Sequence, residues 1–294
     1  MNEFPLNDTR RNDARRYGTC ADVGPVDDGP VDDARGGDSR GSAGSVPQDR
    51  VVVVTGAGTG IGRETARAFA AGGARVLAVG RRPGPLAETA AAHPSSIEPL
   101  AADVTGPDAP EAIVGAALER FGRLDVLVNN AGVTGGGGKL GAYTREGIDA
   151  LLATNLLAPV LLGQAALPAL ADSRGVIVNV STAVGQRGWP SGSVYAAGKA
   201  ALETVTRSWA VELAPRGIRV VAVAPGAIGT PIGEHAGRSP EQLAALRAWQ
   251  IAHTPLGRIG HPAEVAWAIV QLAAPQASFV TGVVLSVDGG ALVG

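Results

Sequence analysis

Cysteine is nearly missing from the 294 residues. Cys20 stands alone, so no internal disulfide can form, and the chain is expected in a reducing compartment, the cytoplasm. Lysine is almost as rare: of 25 basic residues only Lys139 and Lys199 are lysines, and the rest are Arg. Aromatic residues make up 4% of a chain that is 45% hydrophobic, so the core has to be built from Ala, Val, Leu and Ile. Neither sign of charge dominates; a formal net charge of -2 leaves no footprint for a nucleic-acid partner. No apolar run approaches the ~18 residues of a membrane span, and the start of the chain lacks the apolar core of a signal peptide. The histidines at 93, 235, 253 and 261 do not pair with Cys, Asp or Glu at ligand spacing, so no metal is expected. Gly37-Asp38-Ser39-Arg40-Gly41 matches Gly-x-Ser-x-Gly, but it stands in a polar stretch with no apolar strand before it, so it does not read as a hydrolase elbow. These features argue against a disulfide-stapled secreted domain, a zinc site, a serine hydrolase and a nucleic-acid binder.

What is present divides in two. Residues 1–48 are rich in Asp, Arg, Gly, Ser and Pro and read as a disordered polar leader. Residues 49–294 read as one catalytic domain. Val51–Val54 is a β-branched run, long enough for a strand buried on both faces. Thr55-Gly56-Ala57-Gly58-Thr59-Gly60-Ile61-Gly62 follows at once, then a helix over Arg63–Ala71 and a second strand over Ala74–Val79. Glycines at 56, 60 and 62 let the backbone turn tightly against a pyrophosphate, with the helix N-terminus aimed at it. Gly58, Thr59 and Ile61 complete this candidate cofactor loop.

The second strand ends at Gly80-Arg81-Arg82. An NAD site places an acid about 20 residues past the glycines to hold the ribose 2′-hydroxyl. Gly80 leaves that space empty, and Arg81 and Arg82 can pair with a 2′-phosphate, which favours NADP(H) while leaving NAD(H) possible. The plainer reading is two solvated arginines at a helix start. Ile97–Ala101 forms a third strand, followed by Asp103-Val104; Asp103 can accept from an adenine amino group or cap the helix near Pro110. Leu124–Val128 is the fourth strand, running into Asn129-Asn130-Ala131-Gly132, where small residues let a ligand lie across the strand end. Gly135–Gly138 reads as a flexible link.

Ile148–Leu170 is apolar with helical periodicity, with bends expected at Pro159 and Pro168. Asn155 lies within it. Gly175–Val180 is the fifth strand with Ser181 at its end, where open α/β sheets bind ligands. Residues 194–213 form a helix bearing Tyr195 and Lys199. Ile218–Val223 is the sixth strand, followed by Pro225-Gly226-Ala227-Ile228-Gly229-Thr230. A segment over 231–258 with a short helix at 240–251 reads as a lid. A helix over Pro262–Leu272 and a seventh strand over Val283–Val287 close the chain.

The chemistry centres on Tyr195 and Lys199. Four residues apart on a helix, they share one face. An ammonium beside a phenol favours phenolate and lowers the Tyr pKa toward working pH. Arg cannot lose its proton, so a Lys at 199 in an arginine-rich chain is a specific choice. Ser181 can then hold a carbonyl oxygen while Tyr195 exchanges a proton with it. The plainer alternative is an amphipathic helix with a snorkelling Lys and a half-buried Tyr.

Taken together, Thr55-Gly56-(x)3-Gly60-Ile61-Gly62, Asn129-Asn130-Ala131-Gly132, Asn155, Ser181, Tyr195-(x)3-Lys199 and Pro225-Gly226 resemble the short-chain dehydrogenase/reductase family over residues 48–294. Pro255-Leu256-Gly257-Arg258-Ile259-Gly260 and Asp288-Gly289-Gly290 resemble its 3-oxoacyl-carrier-protein reductase branch. The resemblance implies an α/β fold of Rossmann type: one doubly wound, seven-stranded parallel sheet with helices on both faces. It implies a catalytic set of Asn155, Ser181, Tyr195 and Lys199. Tyr195 would be the acid/base, Ser181 would orient the substrate oxygen, Lys199 would hold the nicotinamide ribose, and Asn155 would anchor a relay water. The glycine loop, Arg81, Asp103, Val104, Asn130, Ala131, Gly132, Ile228 and Thr230 would line the cofactor. The expected reaction interconverts a small-molecule ketone and a secondary alcohol by hydride transfer in a homotetramer or homodimer. The alternatives are a 3-oxoacyl-thioester reductase and, in another class, a non-catalytic NADP-binding sensor or scaffold. Thr59 departs from the basic residue many NADP-dependent relatives carry there.

Overall fold

A computed structural model of the chain describes residues 49–135, 138–186 and 192–294. The expected leader and the middle of the Gly135–Gly138 link lie outside the described residues.

Seven strands form one parallel sheet: β1 Val51–Thr55, β2 Arg75–Gly80, β3 Ile97–Ala101, β4 Val126–Asn129, β5 Val176–Val180, β6 Arg219–Pro225 and β7 Val284–Val287. Their order is β3-β2-β1-β4-β5-β6-β7. Every residue of β1 is buried. Val52 and Val54 face one apolar cluster and Val51 and Val53 the other, which is why the strand carries no polar alternation. Each such side chain contributes about 1.5–3 kcal/mol on full burial.

The helices divide between the faces. On one side lie α1 Gly60–Ala71 and α2 Pro83–Ala90, contributing Phe69 and Leu86 to the cluster that also holds Val265 and Ile269. On the other lies α3 Ala109–Phe121. The expected single run over Ile148–Leu170 is α4 Arg145–Leu152, a π-helical turn Ala153–Leu157, and α5 Ala158–Ser173. Pro168 sits inside α5 without ending it. By length and composition alone, Arg145–Ser173 is long and apolar enough to cross a membrane, contrary to the sequence reading. In the fold Leu162, Ala166 and Leu170 of α5 join Leu127 and Ile177 of the sheet, so its apolar character serves the core.

The chain continues through α6 Ser193–Leu213, α7 Ile232–His235, α8 Pro240–Ala252 and α9 Pro262–Ala273. α8 opens on a capping box between Ser239 and Gln242. α1 starts three residues before the expected Arg63. A helix can open on Gly60 because its positive φ (56°) belongs to the turn that feeds it.

A buried polar chain crosses the layers. Asn129 Nδ2 donates to Asn179 Oδ1 at 2.9 Å, and Asn179 Nδ2 donates to Thr206 Oγ1 at 2.9 Å, tying β4 to β5 and β5 to α6.

Candidate active site

The strand order reverses between β1 and β4, and a cleft of about 460 Å³ opens at their carboxyl ends. The glycine turn forms one wall. Gly56 has φ 66°, and a Cβ there would meet the Ala131 backbone at 2.9 Å. At Gly62 a Cβ would fall 2.3 Å from the Gly56 carbonyl oxygen, so only glycine lets α1 approach β1 this closely. The unpaired N–H groups of the first turn of α1 therefore face the turn. Arg63, which the sequence reading missed, braces it from behind: its Nη2 donates to the Gly58 carbonyl at 2.6 Å and pairs with Glu88 at 2.8 Å.

Gly56, Gly58, Thr59, Gly60, Ile61, Gly62, Arg81, Arg82, Asp103, Val104, Asn130, Ala131, Gly132, Ser181, Tyr195, Lys199, Pro225, Gly226, Ile228 and Thr230 all line this one cleft. Several are already engaged. Asn130 Nδ2 donates to the Thr55 carbonyl at 2.8 Å, locking the ends of β1 and β4 together. Asp103 accepts from the Thr105 amide at 3.0 Å and its hydroxyl at 2.8 Å. The Thr105 amide holds this carboxyl below the usual carboxylate range, and the Arg81 charge adds to the effect. The helix-capping alternative for Asp103 is not taken, because Asp108 occupies the N-cap of α3. Arg82 Nη2 lies 3.1 Å from His235 Nε2; a guanidinium only donates, so the imidazole nitrogen accepts.

Asn155 alone among the expected residues does not line the cleft. It is fully buried, and its amide is spent on one neighbour: Oδ1 accepts from the Val133 amide at 2.9 Å and Nδ2 donates to the Val133 carbonyl at 2.7 Å. Its side chain fixes the backbone after β4.

The end of β5 meets α6 at the far part of the cleft. Lys199 is 3% exposed, and its Nζ donates to the Val180 carbonyl at 2.7 Å. Burial lowers its pKa to about 8. Gly132 lies against it: a Cβ there would sit in ordinary contact, 3.5 Å from Nζ. Tyr195 is half-buried and hydrogen-bonded to the Thr182 side chain. Burial pushes the phenol above its ordinary range, and the Thr182 bond opposes that shift without cancelling it. The expected lowering of the phenol is not seen; burial dominates.

Ser181 departs from expectation as well. Its Oγ donates to Glu203 Oε1 at 2.7 Å and lies 3.3 Å from the Lys199 carbonyl. Thr182 Oγ1 donates to the Pro225 carbonyl at 3.4 Å. The hydroxyl beside the phenol is that of Thr182.

A family model described as enoyl-(acyl carrier protein) reductase matches residues 56–291. The 3-oxoacyl-[acyl-carrier-protein] reductase FabG of Thermotoga maritima is 40% identical over 250 residues, covering 84% of this chain and 99% of that protein. The L-fucose dehydrogenase of Oryctolagus cuniculus is 42% identical over 248 residues, covering 83% and 86%. A solved short-chain dehydrogenase/reductase of Caenorhabditis elegans, with cofactor, superposes with a TM-score of 0.78 at 34% identity, covering 83% of this chain and 95% of that one. The chain belongs to the short-chain dehydrogenase/reductase family. It is a nicotinamide-nucleotide-dependent oxidoreductase that interconverts a carbonyl and a secondary alcohol.

Within this dehydrogenase/reductase, sequence reasoning missed Thr182, Glu203 and His235. One signal was available for the first two. Val176, Val178 and Val180 of β5 face the α1 side, while Ile177 joins the other cluster and Asn179 bonds to α6. Continuing that alternation sends Ser181 to the α6 side with Asn179.

Proposed function

We propose that Tyr195 is the proton donor to a ketone oxygen and that Thr182 holds that oxygen, in an NADP(H)-preferring carbonyl reductase/alcohol dehydrogenase. The observation that carries this reading is the Tyr195–Thr182 hydrogen bond, one helical turn from Lys199 in the dinucleotide cleft. Thr182 fits the role better than Ser181 by its hydrogen-bond partner. Thr182 is hydrogen-bonded to the phenol itself, while Ser181 donates at 2.7 Å to a carboxylate.

The residues fit a dinucleotide: a close-approach glycine turn, a helix N-terminus, two arginines at the far edge and a volume within the ~300–1,000 Å³ of ligand sites. Arg81 and Arg82 would hold a 2′-phosphate, and Lys199 would hold the nicotinamide ribose. When bound, the reduced nicotinamide supplies the hydride. Thr182 orients the substrate oxygen, and Tyr195 gives up its phenolic proton to it. In the oxidative direction Tyr195 takes the alcohol proton. Asn155 keeps the Gly132–Val133 backbone in place.

The substrate is read as a neutral, fairly hydrophobic ketone. A 3-oxoacyl thioester is the second reading, favoured by the similarity to the Thermotoga protein and by the Pro255–Gly260 and Asp288–Gly290 segments. The working form is proposed to be a homotetramer, with a dimer as the alternative. Two sets of exposed large apolar residues support this: Leu157 at the end of the π-helical turn, Leu161 on α5 and Val211 on α6, and Trp267 on α9 with Phe279 and Leu285 toward the edge strand β7.

The test is oxidation of NADPH and NADH against a panel of ketones and 3-oxoacyl thioesters. Turnover with NADPH favoured is the expected result. A protein that binds NADPH tightly and reduces nothing on the panel supports the sensor or scaffold reading instead.

A further inference from the structure

Glu203 is a buried acid that the reaction above leaves unused. It is 5% exposed in the middle of α6, and no ion pair holds it among the described residues. Its Oε1 accepts instead from Ser181 Oγ at 2.7 Å and from Gln186 Nε2 at 3.3 Å. Removing a carboxylate from water without a cation is costly, and a neutral or apolar pair would join a strand to a helix more cheaply. A link made this way calls for more than packing.

The register supplies the reason. Val180, Ser181 and Thr182 are consecutive at the end of β5, and each is engaged by a different residue of α6. Lys199 Nζ takes the Val180 carbonyl, Glu203 takes the Ser181 hydroxyl, and Tyr195 meets Thr182. Residues 195, 199 and 203 are one turn apart and share a helix face. We propose that Glu203 is a positioning residue: by accepting the Ser181 hydrogen it pins the end of β5 to α6 and sets the Thr182 hydroxyl against the Tyr195 phenol. The same bond withdraws Ser181 from the substrate. This rests on the carbonyl–alcohol reading above. On its own helix the titratable groups one turn either side of Glu203 are Lys199 and the exposed Arg207; the β5 end and the Ala183–Gln186 turn present the neutral Ser181 and Gln186.

The test uses the full chain with Glu203→Ala, Glu203→Gln, Ser181→Ala and the Ser181→Ala/Glu203→Ala double variant. Steady-state rates are taken with a ketone and its alcohol found active on the panel, and NADPH dissociation constants by fluorescence. Glu203→Ala and Ser181→Ala are each expected to cut kcat by ~10–100-fold, the scale of a small misplacement of reacting groups. NADPH affinity should stay within about twofold, and the double variant should be no slower than either single one, since one link is broken in all three. Glu203→Gln, which keeps an acceptor for Ser181, should recover most of the lost kcat. Rescue by the variant that keeps the acceptor is the readout that a merely structural acid would not give.

Losses that multiply in the double variant, a Glu203→Gln enzyme as slow as Glu203→Ala, or single variants at the parent rate would each overturn the proposal. If Glu203→Ala does not fold, Ser181→Ala and Glu203→Gln decide the matter by the same criteria. A parent chain that turns over nothing on the panel overturns the underlying reading instead.

Discussion

At Tyr195 burial and a hydrogen bond pull in opposite directions, and burial is the larger, so the phenol stays protonated at neutral pH. Ketone reduction needs that proton and is expected to vary little between about pH 6 and 8. Alcohol oxidation needs the phenolate, which gains as pH rises toward a pKa above the ordinary value, so its kcat should climb steadily into the alkaline range. A pH–rate profile in both directions checks this; an acid optimum for oxidation would contradict it. Lys199 carries its own linkage. Its folded pKa of about 8 lies below the unfolded value near 10.4, so the cost of burying the charge is full below pH 8. That cost is relieved as pH rises from about 8 to 10.4, where the unfolded chain holds the extra proton. Lys199→Met removes a penalty of roughly 3 kcal/mol and orphans the Val180 carbonyl at ~1–3 kcal/mol, so Tm at pH 7 should hold or rise while turnover is lost. A fall of Tm by more than about 5 °C would contradict the burial argument. The pairing of Tyr195 with Lys199 was legible from spacing alone. Which hydroxyl meets the phenol was not read, because the choice between Ser181 and Thr182 turns on strand alternation at a strand's last residue.

Elements repeat this division. β1, the glycine turn and the start of α1 were readable because each residue type answers one local demand: β-branched for a strand buried twice, glycine where a Cβ would strike the Gly56 carbonyl. The π-helical turn at Ala153–Leu157 was not, since nothing in an apolar run announces an i to i+5 bond. Nor was the buried chain from Asn129 through Asn179 to Thr206, whose members lie far apart in sequence. Asn179→Ala leaves the Asn129 amide without its acceptor and is expected to cost about 2–4 kcal/mol, measured as a drop in denaturant midpoint with the m-value unchanged. At the edge of the cleft, Arg81 and Arg82 end β2, and both are exposed. Arg81→Asp should shift the kcat/KM ratio from NADPH toward NADH by at least ~10-fold, as a carboxylate repels a 2′-phosphate and can accept from a 2′-hydroxyl. An unchanged ratio would return the two arginines to the role of solvated charges.

For the molecule as a whole, the strand order places the reversal of the sheet, and hence the cleft, between β1 and β4, while β5 and α6 supply the residues at its far side. The two sets of exposed apolar residues predict a mass of four chains, or two, by light scattering. Trp267→Glu, on the 64% exposed face of α9, should lower that mass; a monomeric parent would remove this part of the account. Fold and cleft were legible because a βαβ start with a glycine turn, followed by further short strands alternating with helices, has few other ways to pack. The order of hydrogen bonds inside the cleft depends on tertiary register that no short motif encodes. The central claim is that the Tyr195 phenol passes the proton. Its most direct measurement is the rate of NADPH oxidation by a ketone in Tyr195→Phe, with the NADPH dissociation constant taken on the same preparation. The account predicts a loss of ~100-fold or more in kcat with cofactor affinity kept; turnover undiminished in the Phe variant would contradict it.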